Sequence, residues 1–270
     1  MPPKALYEKR NHVFYITINR PEVMNCVDSE TAALLAAAWK AFRDDDDAYV
    51  AVITGAGDKS FCAGADLKQA SLGWFVGEMS EDRFRVELQN LEGYMGYTLG
   101  LDIYKPMLAA INGYCFAGGV EIACMCDIRI ADRRAEFGIL NRRWNIGLGD
   151  GGTQRLWRIV GLGRALELII TGRRIDVEEA LRIGLVNEIV PDGQALARAT
   201  ELAEQICQLP QGAIRSDKEA LLRGIGRPLE EGFRIEAEAF RTLAFRRDSP
   251  AEGASAFIEK RRPQWRKQGL

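Results

Sequence analysis

The sequence contains one histidine, His12, among 270 residues, and this scarcity excludes several kinds of active site. A mechanism or a metal site that needs two histidines cannot be built from it. A Ser-His-Asp arrangement would have to use His12, and no Gly-x-Ser-x-Gly motif accompanies it. His12 begins an alternating run that predicts a strand over 13–19, so we expect a surface or strand-end role for it.

The six cysteines do not follow the spacing of a zinc site or of a disulfide framework. Cys124 and Cys126 are two residues apart, and no second close pair completes a set of metal ligands. We therefore expect buried, reduced thiols in a reducing compartment and no metal. An excess of one charge is also missing, since 36 basic and 38 acidic residues leave a formal net charge of −2. This balance argues against nucleic acid or an anionic membrane as a partner.

Long apolar runs are scarce as well. Residues 1–19 contain no apolar signal core followed by a cleavage site. The longest apolar stretch, 107–126, has about the length of a membrane span, but it contains Asn112, Glu121 and several glycines. We interpret it as a buried strand, turn and helix. The composition is that of a soluble globular protein, and we expect a cytoplasmic location.

Hydrophobic patterning predicts short strands that alternate with helices. Strands are predicted over 13–19, 50–54, 107–112, 128–131, 136–138 and 185–190. Helices are predicted over 29–44, 118–126, 154–160, 161–171 and 177–183, and then over 195–209, 213–223, 228–247 and 249–260. This order is typical of the α/β class with a helical C-terminal region. The stretch 67–100 lacks clear alternation, and we expect it to form helices that wall a pocket and set acyl specificity.

Two segments carry the strongest functional signal. Residues 61–67 read FCAGADL, and residues 110–121 read AINGYCFAGGVE. In each, an apolar strand-like run leads to small residues and then to a plausible helix start, where backbone N–H groups lack intrahelical partners. Small residues let a ligand oxygen approach that backbone closely. Two such ends facing each other would form an oxyanion hole from main chain alone, although each segment by itself also suits a tight connection.

Together the two segments resemble the enoyl-CoA hydratase/isomerase (crotonase) family, and further matching motifs extend the resemblance over roughly residues 10–262. These motifs include CDIRIA at 126–131, GGTQRL at 151–156 and GLV at 184–186. The resemblance implies a spiral of β-β-α repeats over 1–195, with a CoA-ester site, and a helical trimerisation region over 196–270. It implies an acyl-CoA thioester as substrate, with CoA part of that substrate and no separate cofactor. A homotrimer or a dimer of trimers, a hexamer, is the implied assembly.

The family pattern also assigns the residues that would hold the substrate. The backbone N–H groups of Ala65 and Gly118 would bind the thioester oxygen, on which negative charge builds up in an enolate. Close packing of a helix on a sheet is the alternative for residues 117–119. The stretches 20–25 and 63–68 resemble those that contact CoA. The candidate substrate-binding residues are Asn25, Ala63, Asp66, Leu67 and Lys68.

Three polar residues are candidates for catalysis. Glu121 follows Gly118 by three positions, so both share a helix face, and apolar neighbours would bury the carboxyl and raise its pKa. A buried ion pair with Arg129 is the alternative. The second glutamate of the family's hydratases is replaced here by Asn141, which can hold a water but cannot transfer a proton. Asp150 resembles the base of family members that shift double bonds, with a helix cap as the alternative.

The resemblance therefore implies an enoyl-CoA hydratase, a lyase of fatty acid or related acyl-CoA metabolism. Such an enzyme adds water across the double bond of a 2-enoyl-CoA. A double-bond isomerase that acts on enoyl-CoA or dienoyl-CoA through Asp150 and Glu121 is the alternative. A third hypothesis, a catalytically silent protein that binds CoA esters, is opposed by the two acids and by the small residues at 65 and 118.

Overall fold

The computed structural model describes residues 2–68, 80–82, 92–245 and 250–265. The predicted pocket wall at 67–100 falls largely on 69–79 and 83–91, which lie outside the described residues.

A six-stranded sheet forms the centre of the molecule. Its strands are β1 (Ala5–Arg10), β2 (Val13–Ile18), β3 (Val50–Gly55), β5 (Met107–Ile111), β7 (Ile128–Asp132) and β10 (Glu188–Val190), in that spatial order. Only β1 and β2 pair antiparallel, and the other neighbours are parallel. Strands β3 and β5 are buried along their whole length, as expected for apolar runs in a parallel sheet covered on both faces.

Helices pack on both faces of this sheet. Alternate side chains of the strands, such as Ile16 and Ile53, pack with Leu35, Trp39 and Phe42 of α1 (Ser29–Asp44). The remaining side chains, such as Val52 and Leu108, pack with Ala195, Ala199 and Ala203 of α6 (Ala195–Cys207). Because α6 belongs to this core, the expected division at 195/196 does not mark a change in packing. The helical region that follows the sheet core begins after Cys207.

A second, four-stranded sheet consists of β4 (Ser60–Cys62), β6 (Tyr114–Phe116), β8 (Glu136–Gly138) and β9 (Arg174–Asp176), in that order. Its first three strands are parallel. Each of these three strands directly follows a strand of the main sheet along the chain. The chain therefore passes from the main sheet to the second sheet three times. Helix α2 (Gly118–Met125) follows β6, and α3 (Gly152–Val160) comes after β8. This element order is the spiral of β-β-α repeats that the family pattern implies.

The remaining helices of the described residues are α4 (Leu162–Thr171), α5 (Val177–Arg182), α7 (Gln211–Gly224), α8 (Leu229–Thr242) and α9 (Pro250–Ile258), with 3-10 turns at Pro21–Val23, Leu140–Trp144 and Leu243–Phe245. Within the described ranges, no helix is both long and apolar enough to cross a membrane. The same residues contain no group of three or more His, Cys, Asp or Glu side chains that could hold a metal ion.

Buried Asp132 ties the main sheet to the start of α6. Its Oδ1 accepts hydrogen bonds from the N–H groups of Gln194 (3.1 Å) and Ala195 (2.9 Å), and its Oδ2 accepts from the N–H of Gly193 (2.7 Å). The side chain is fully buried at the end of β7. A carboxylate at a helix start satisfies N–H groups that have no intrahelical acceptor and opposes the partial positive charge there.

Candidate active site

A cavity of about 390 Å³ opens at one edge of the second sheet. Strands β4, β6 and β8 are parallel neighbours, so their carboxyl ends lie side by side, and the segments that follow them meet there. These segments, within 63–67, 116–121 and 140–150, form the wall together with Tyr94 and Met95. Seven of the ten predicted site residues line the cavity: Ala63, Ala65, Leu67, Gly118, Glu121, Asn141 and Asp150.

The backbone at Ala65 is extended and bridges to Val27. The N–H of Val27 donates to the carbonyl of Gly64, and the N–H of Asp66 donates to the carbonyl of Val27, both at 2.9 Å. Successive N–H groups of an extended segment alternate in direction, so the N–H of Ala65 is directed away from Val27. Among the described residues it has no hydrogen-bond acceptor.

The second backbone element is the start of α2. Ala117 has a φ of +51°, a conformation that is strained for a residue with a side chain, and its N–H donates to the carbonyl of Gly138 (2.8 Å). Gly118 then opens the helix, and its N–H has no acceptor in the part of the chain that the structure describes. A Cβ built on Gly64 would lie 3.2 Å from the Gly118 nitrogen, so the two segments are in contact.

The two glycines of this helix start have different surroundings. A Cβ on Gly119 would lie 2.1 Å from the carbonyl oxygen of Cys62, so Gly119 allows the close packing of α2 on the second sheet. For a Cβ on Gly118 the nearest atoms would all belong to the flexible side chain of Met95, with the Sδ at 2.6 Å. The packing explanation therefore fits Gly119, whereas Gly118 is the one that lines the cavity.

Glu121 lies on the first turn of α2 and is 3% exposed. Its Oε1 accepts hydrogen bonds from the N–H groups of Asp150 (2.9 Å) and Gly152 (2.8 Å). Burial, with a smaller contribution from the Asp150 charge, raises the pKa of Glu121 to about 7, and the two N–H donors oppose this shift. Arg129 does not pair with it, since that guanidinium donates to the carbonyls of Cys126 and Leu185. A carboxyl with this pKa can take up and release a proton near neutral pH.

Asp150 also lines the cavity and is buried. Its Oδ1 accepts hydrogen bonds from the N–H of Met95 (2.8 Å) and the hydroxyl of Thr98, so it fastens the 94–98 turn. Burial raises the pKa of its carboxyl, and these hydrogen bonds oppose the rise. The helix-cap alternative does not hold, because α3 starts from Gly151 without a side-chain cap.

Asn141 lies in the 3-10 turn after β8 and is 8% exposed. Its Nδ2 donates to the carbonyls of Ile146 and Gly147, both at 3.0 Å. Its Oδ1 is buried and has no hydrogen-bond partner among the residues that the structure describes. Because carbonyl oxygens accept hydrogen bonds and do not donate them, these two contacts fix which end of the amide is the nitrogen.

Three predicted substrate-binding residues lie outside the cavity lining. Asn25 is fully buried, and its side-chain amide bonds to backbone groups. Its Oδ1 accepts a hydrogen bond from the Arg20 N–H, and its Nδ2 donates to the carbonyls of Ala56 and Ser60. Asp66 is also buried, and its Oδ2 accepts from the guanidinium of Arg20 at 2.8 Å. Asn25 thus joins the 20–25 turn to the carbonyls at 56 and 60, and Asp66 fastens its own loop to Arg20. Lys68 is exposed, and its N–H donates to Asp66 Oδ1.

The sequence-based prediction missed most of the apolar wall. Phe116, Leu140, Trp144, Ile146 and Leu148 line the cavity and were not singled out. A usable signal was present, because the segment after β8 stands in the same position as the segments after β4 and β6. Met95 lies next to Gly118, and both Met95 and Thr98 contact Asp150. No sequence pattern predicts these contacts, since each joins residues far apart in the chain.

Comparisons with known proteins identify the family of this chain. A model of the enoyl-CoA hydratase/isomerase family matches residues 8–268. The chain is 38% identical over 259 residues to (E)-benzylidenesuccinyl-CoA hydratase of Thauera aromatica, covering 96% of this chain and 97% of that protein. It is 36% identical over 265 residues to short-chain-enoyl-CoA hydratase of Clostridium acetobutylicum, covering 96% and 95%. The crystal structure of an enoyl-CoA hydratase from Bacillus anthracis matches it with a TM-score of 0.84 at 35% identity, covering 97% of this chain and 98% of that one. Sequence and fold thus confirm the resemblance along nearly the whole chain, and the protein belongs to the enoyl-CoA hydratase/isomerase family.

Proposed function

We propose that the protein is an enoyl-CoA hydratase, which adds water across the double bond of a 2-enoyl-CoA thioester. One observation carries the proposal: the buried carboxyl of Glu121 shares a cavity with Ala65 and Gly118, whose N–H groups have no acceptor among the described residues. The hydratase names of the relatives support the same activity.

The two N–H groups supply the electrostatic part of this mechanism. When water attacks the β-carbon of the enoyl group, negative charge moves onto the thioester oxygen. The N–H groups of Ala65 and Gly118 stabilise that charge and need no reorganisation during the reaction, since the fold already holds both segments in place. Loss of one such donor typically costs about 3–4 kcal/mol of transition-state stabilisation.

Glu121 supplies the proton transfer. Its ionised form accepts a proton from the attacking water, and the acid so formed delivers a proton to the α-carbon. The N–H groups of Asp150 and Gly152 hold Oε1, which fixes the carboxyl plane and leaves Oε2 for the reaction. A pKa near 7 suits a group that must accept and then donate a proton in one cycle.

The test is turnover of crotonyl-CoA and of longer 2-enoyl-CoA esters, followed by loss of the conjugated enoyl absorbance. We expect Glu121→Gln to lower kcat by about 10²–10⁴-fold, while binding of a CoA ester, measured by calorimetry, is retained. The matched control is Asp150→Asn, which keeps an oxygen acceptor for the 94–98 turn. A wild-type protein that converts no 2-enoyl-CoA would overturn the proposal.

Double-bond isomerisation is the second candidate, favoured by the place of Asp150 in the same cavity and by the raised pKa of its carboxyl. Here Asp150 and Glu121 would move a proton between the α- and γ-carbons. A 3-enoyl-CoA, offered beside crotonyl-CoA, separates the two activities. If Asp150→Asn slows isomerisation much more than hydration, Asp150 is a base. Equal rates for wild type and variant in both assays would reduce it to the anchor of the 94–98 turn.

We also propose that three or six copies assemble through the helical region after Cys207. The large apolar side chains of Phe233, Phe240 and Phe257 are 60%, 72% and 85% exposed there, which is unusual for a surface that faces only water. Light scattering on the full chain tests this, and a monomer at micromolar concentration would contradict it.

A further inference from the structure

The orphaned oxygen of Asn141 gives this site a feature that its two carboxylates do not explain. A buried acceptor without a partner costs about 1–3 kcal/mol, so its persistence calls for a donor that enters with the substrate. The residues that the structure describes provide no donor for Oδ1, while Nδ2 donates to the carbonyls of Ile146 and Gly147. Asn141 also lines the same cavity as Glu121.

The other polar atoms of the cavity are largely committed. Oε1 of Glu121 accepts hydrogen bonds from two backbone N–H groups, and Oδ1 of Asp150 accepts hydrogen bonds from a backbone N–H and a hydroxyl. Asn141 can neither take up nor release a proton at neutral pH. Within the described part of the chain, Oε2 of Glu121 accepts no hydrogen bond. Oε2 of Glu121 and Oδ1 of Asn141 are therefore both acceptors to which a molecule entering the cavity can donate.

We propose that Asn141 is the positioning residue for the attacking water and that Glu121 alone carries the proton. This inference rests on the proposed hydratase function and specifies how that site works. One hydrogen of the water is donated to Glu121 Oε2 and the other to Asn141 Oδ1, so the oxygen lone pair is aimed at the β-carbon. The hydrogen bond from the water also satisfies the amide oxygen, which the described residues leave unpaired.

The chemistry balances with these two residues. The water oxygen forms a bond to the β-carbon, one O–H bond breaks, and its proton goes to Glu121. The π electrons of the double bond move to the α-carbon and the thioester oxygen. Glu121 then returns a proton to the α-carbon, the enolate collapses, and the carboxylate is regenerated. Because one carboxyl serves both steps, oxygen and hydrogen add to the same face of the double bond.

A reaction that uses Glu121 but needs no attacking water separates this role from a structural one. Exchange of the α-protons of butyryl-CoA with D₂O, followed by proton NMR, requires Glu121 and the enolate but no bond to water. We expect Asn141→Leu to lower kcat for crotonyl-CoA hydration by at least about tenfold, with α-proton exchange within about twofold of wild type and KM little changed. Glu121→Gln should lose both reactions.

Each outcome has a distinct meaning. If Asn141→Leu loses hydration and exchange in equal measure, the residue only supports the fold of the 140–147 turn, and the inference fails. If it loses neither, the amide holds no water, and the inference fails as well. Anti addition of D₂O to crotonyl-CoA, seen in the coupling constants of the product, would also overturn it. A wild-type protein that exchanges α-protons but hydrates no enoyl-CoA would instead refute the proposed function.

Discussion

Replacement of Glu121 by glutamine should make the protein inactive and, above neutral pH, more stable. The glutamine carbonyl can keep both hydrogen bonds that Glu121 Oε1 accepts from the backbone at 150 and 152, so the substitution removes the ionisation and little else. The carboxyl is 3% exposed, and its charge is therefore held at a cost to the folded state.

The size of the effect follows from the pKa. Burial raises the pKa of Glu121 from 4.5 to about 7, so between these values the unfolded chain has released a proton that the folded chain keeps. Stability conferred by this group is therefore lost as the pH rises from 4.5 to 7, by about 1.4 kcal/mol per pH unit. At pH 8 the ionisable carboxyl costs about 3 kcal/mol relative to a neutral side chain, and at pH 5 it costs less than about 1 kcal/mol.

The measurement is the unfolding of wild type and Glu121→Gln at pH 5 and pH 8, by denaturant titration and by calorimetry. The advantage of the variant should grow by about 2–3 kcal/mol between the two pH values, or about 4–5 °C in Tm for a chain of this length. Asn141→Leu is the control, since it alters the same cavity without removing an ionisable group. A Glu121→Gln effect of the same size at both pH values would show that the carboxyl titrates normally and would refute the reasoning.

Two further predictions test the backbone at the starts of helices α2 and α6. Gly118→Ala places a methyl against the flexible side chain of Met95, so the fold should persist while kcat/KM falls at least about tenfold. Gly119→Ala drives a methyl into the Cys62 carbonyl, so it should prevent folding or lower the free energy of unfolding by more than about 3 kcal/mol. Similar stability and activity for the two variants would contradict this difference. Asp132→Ala removes the acceptor of three N–H groups before α6 and should cost about 3 kcal/mol by denaturant titration, with the specific activity of folded molecules unchanged. A loss below about 1 kcal/mol would mean that water replaces the carboxylate there.

The main sheet could be predicted from the sequence because its central strands are fully buried. Val50–Gly55 and Met107–Ile111 are apolar runs of the length of a strand, bounded by turn residues. The second sheet could not be predicted in full, since its strands have three residues each, which is too short for a periodic signal. Strand β1 was missed for another reason: at the sheet edge, five of its six residues are exposed, so apolar residues do not alternate along it.

The site residues also differ in how far the sequence predicts their positions. The position of Glu121 beside Gly118 follows from helical spacing, which is a local property. The contacts of Asp150 with Met95 and Thr98 span more than 50 residues and depend on how the turns of the spiral stack. The exclusion of Asn25 from the cavity likewise depends on carbonyls at 56 and 60, which only the folded chain brings to its amide.

Asparagine at 141 has an electrostatic consequence for the remaining acids. Glu121 and Asp150 already share one cavity, and the charge of Asp150 contributes to the raised pKa of Glu121. A carboxylate at 141 would add a third negative charge and disfavour the ionised form of Glu121 further. A neutral amide keeps a hydrogen-bond acceptor in that wall without this repulsion, so Glu121 stays ionisable near neutral pH. The departure from a two-glutamate site therefore favours a mechanism in which one carboxyl both accepts and donates the proton.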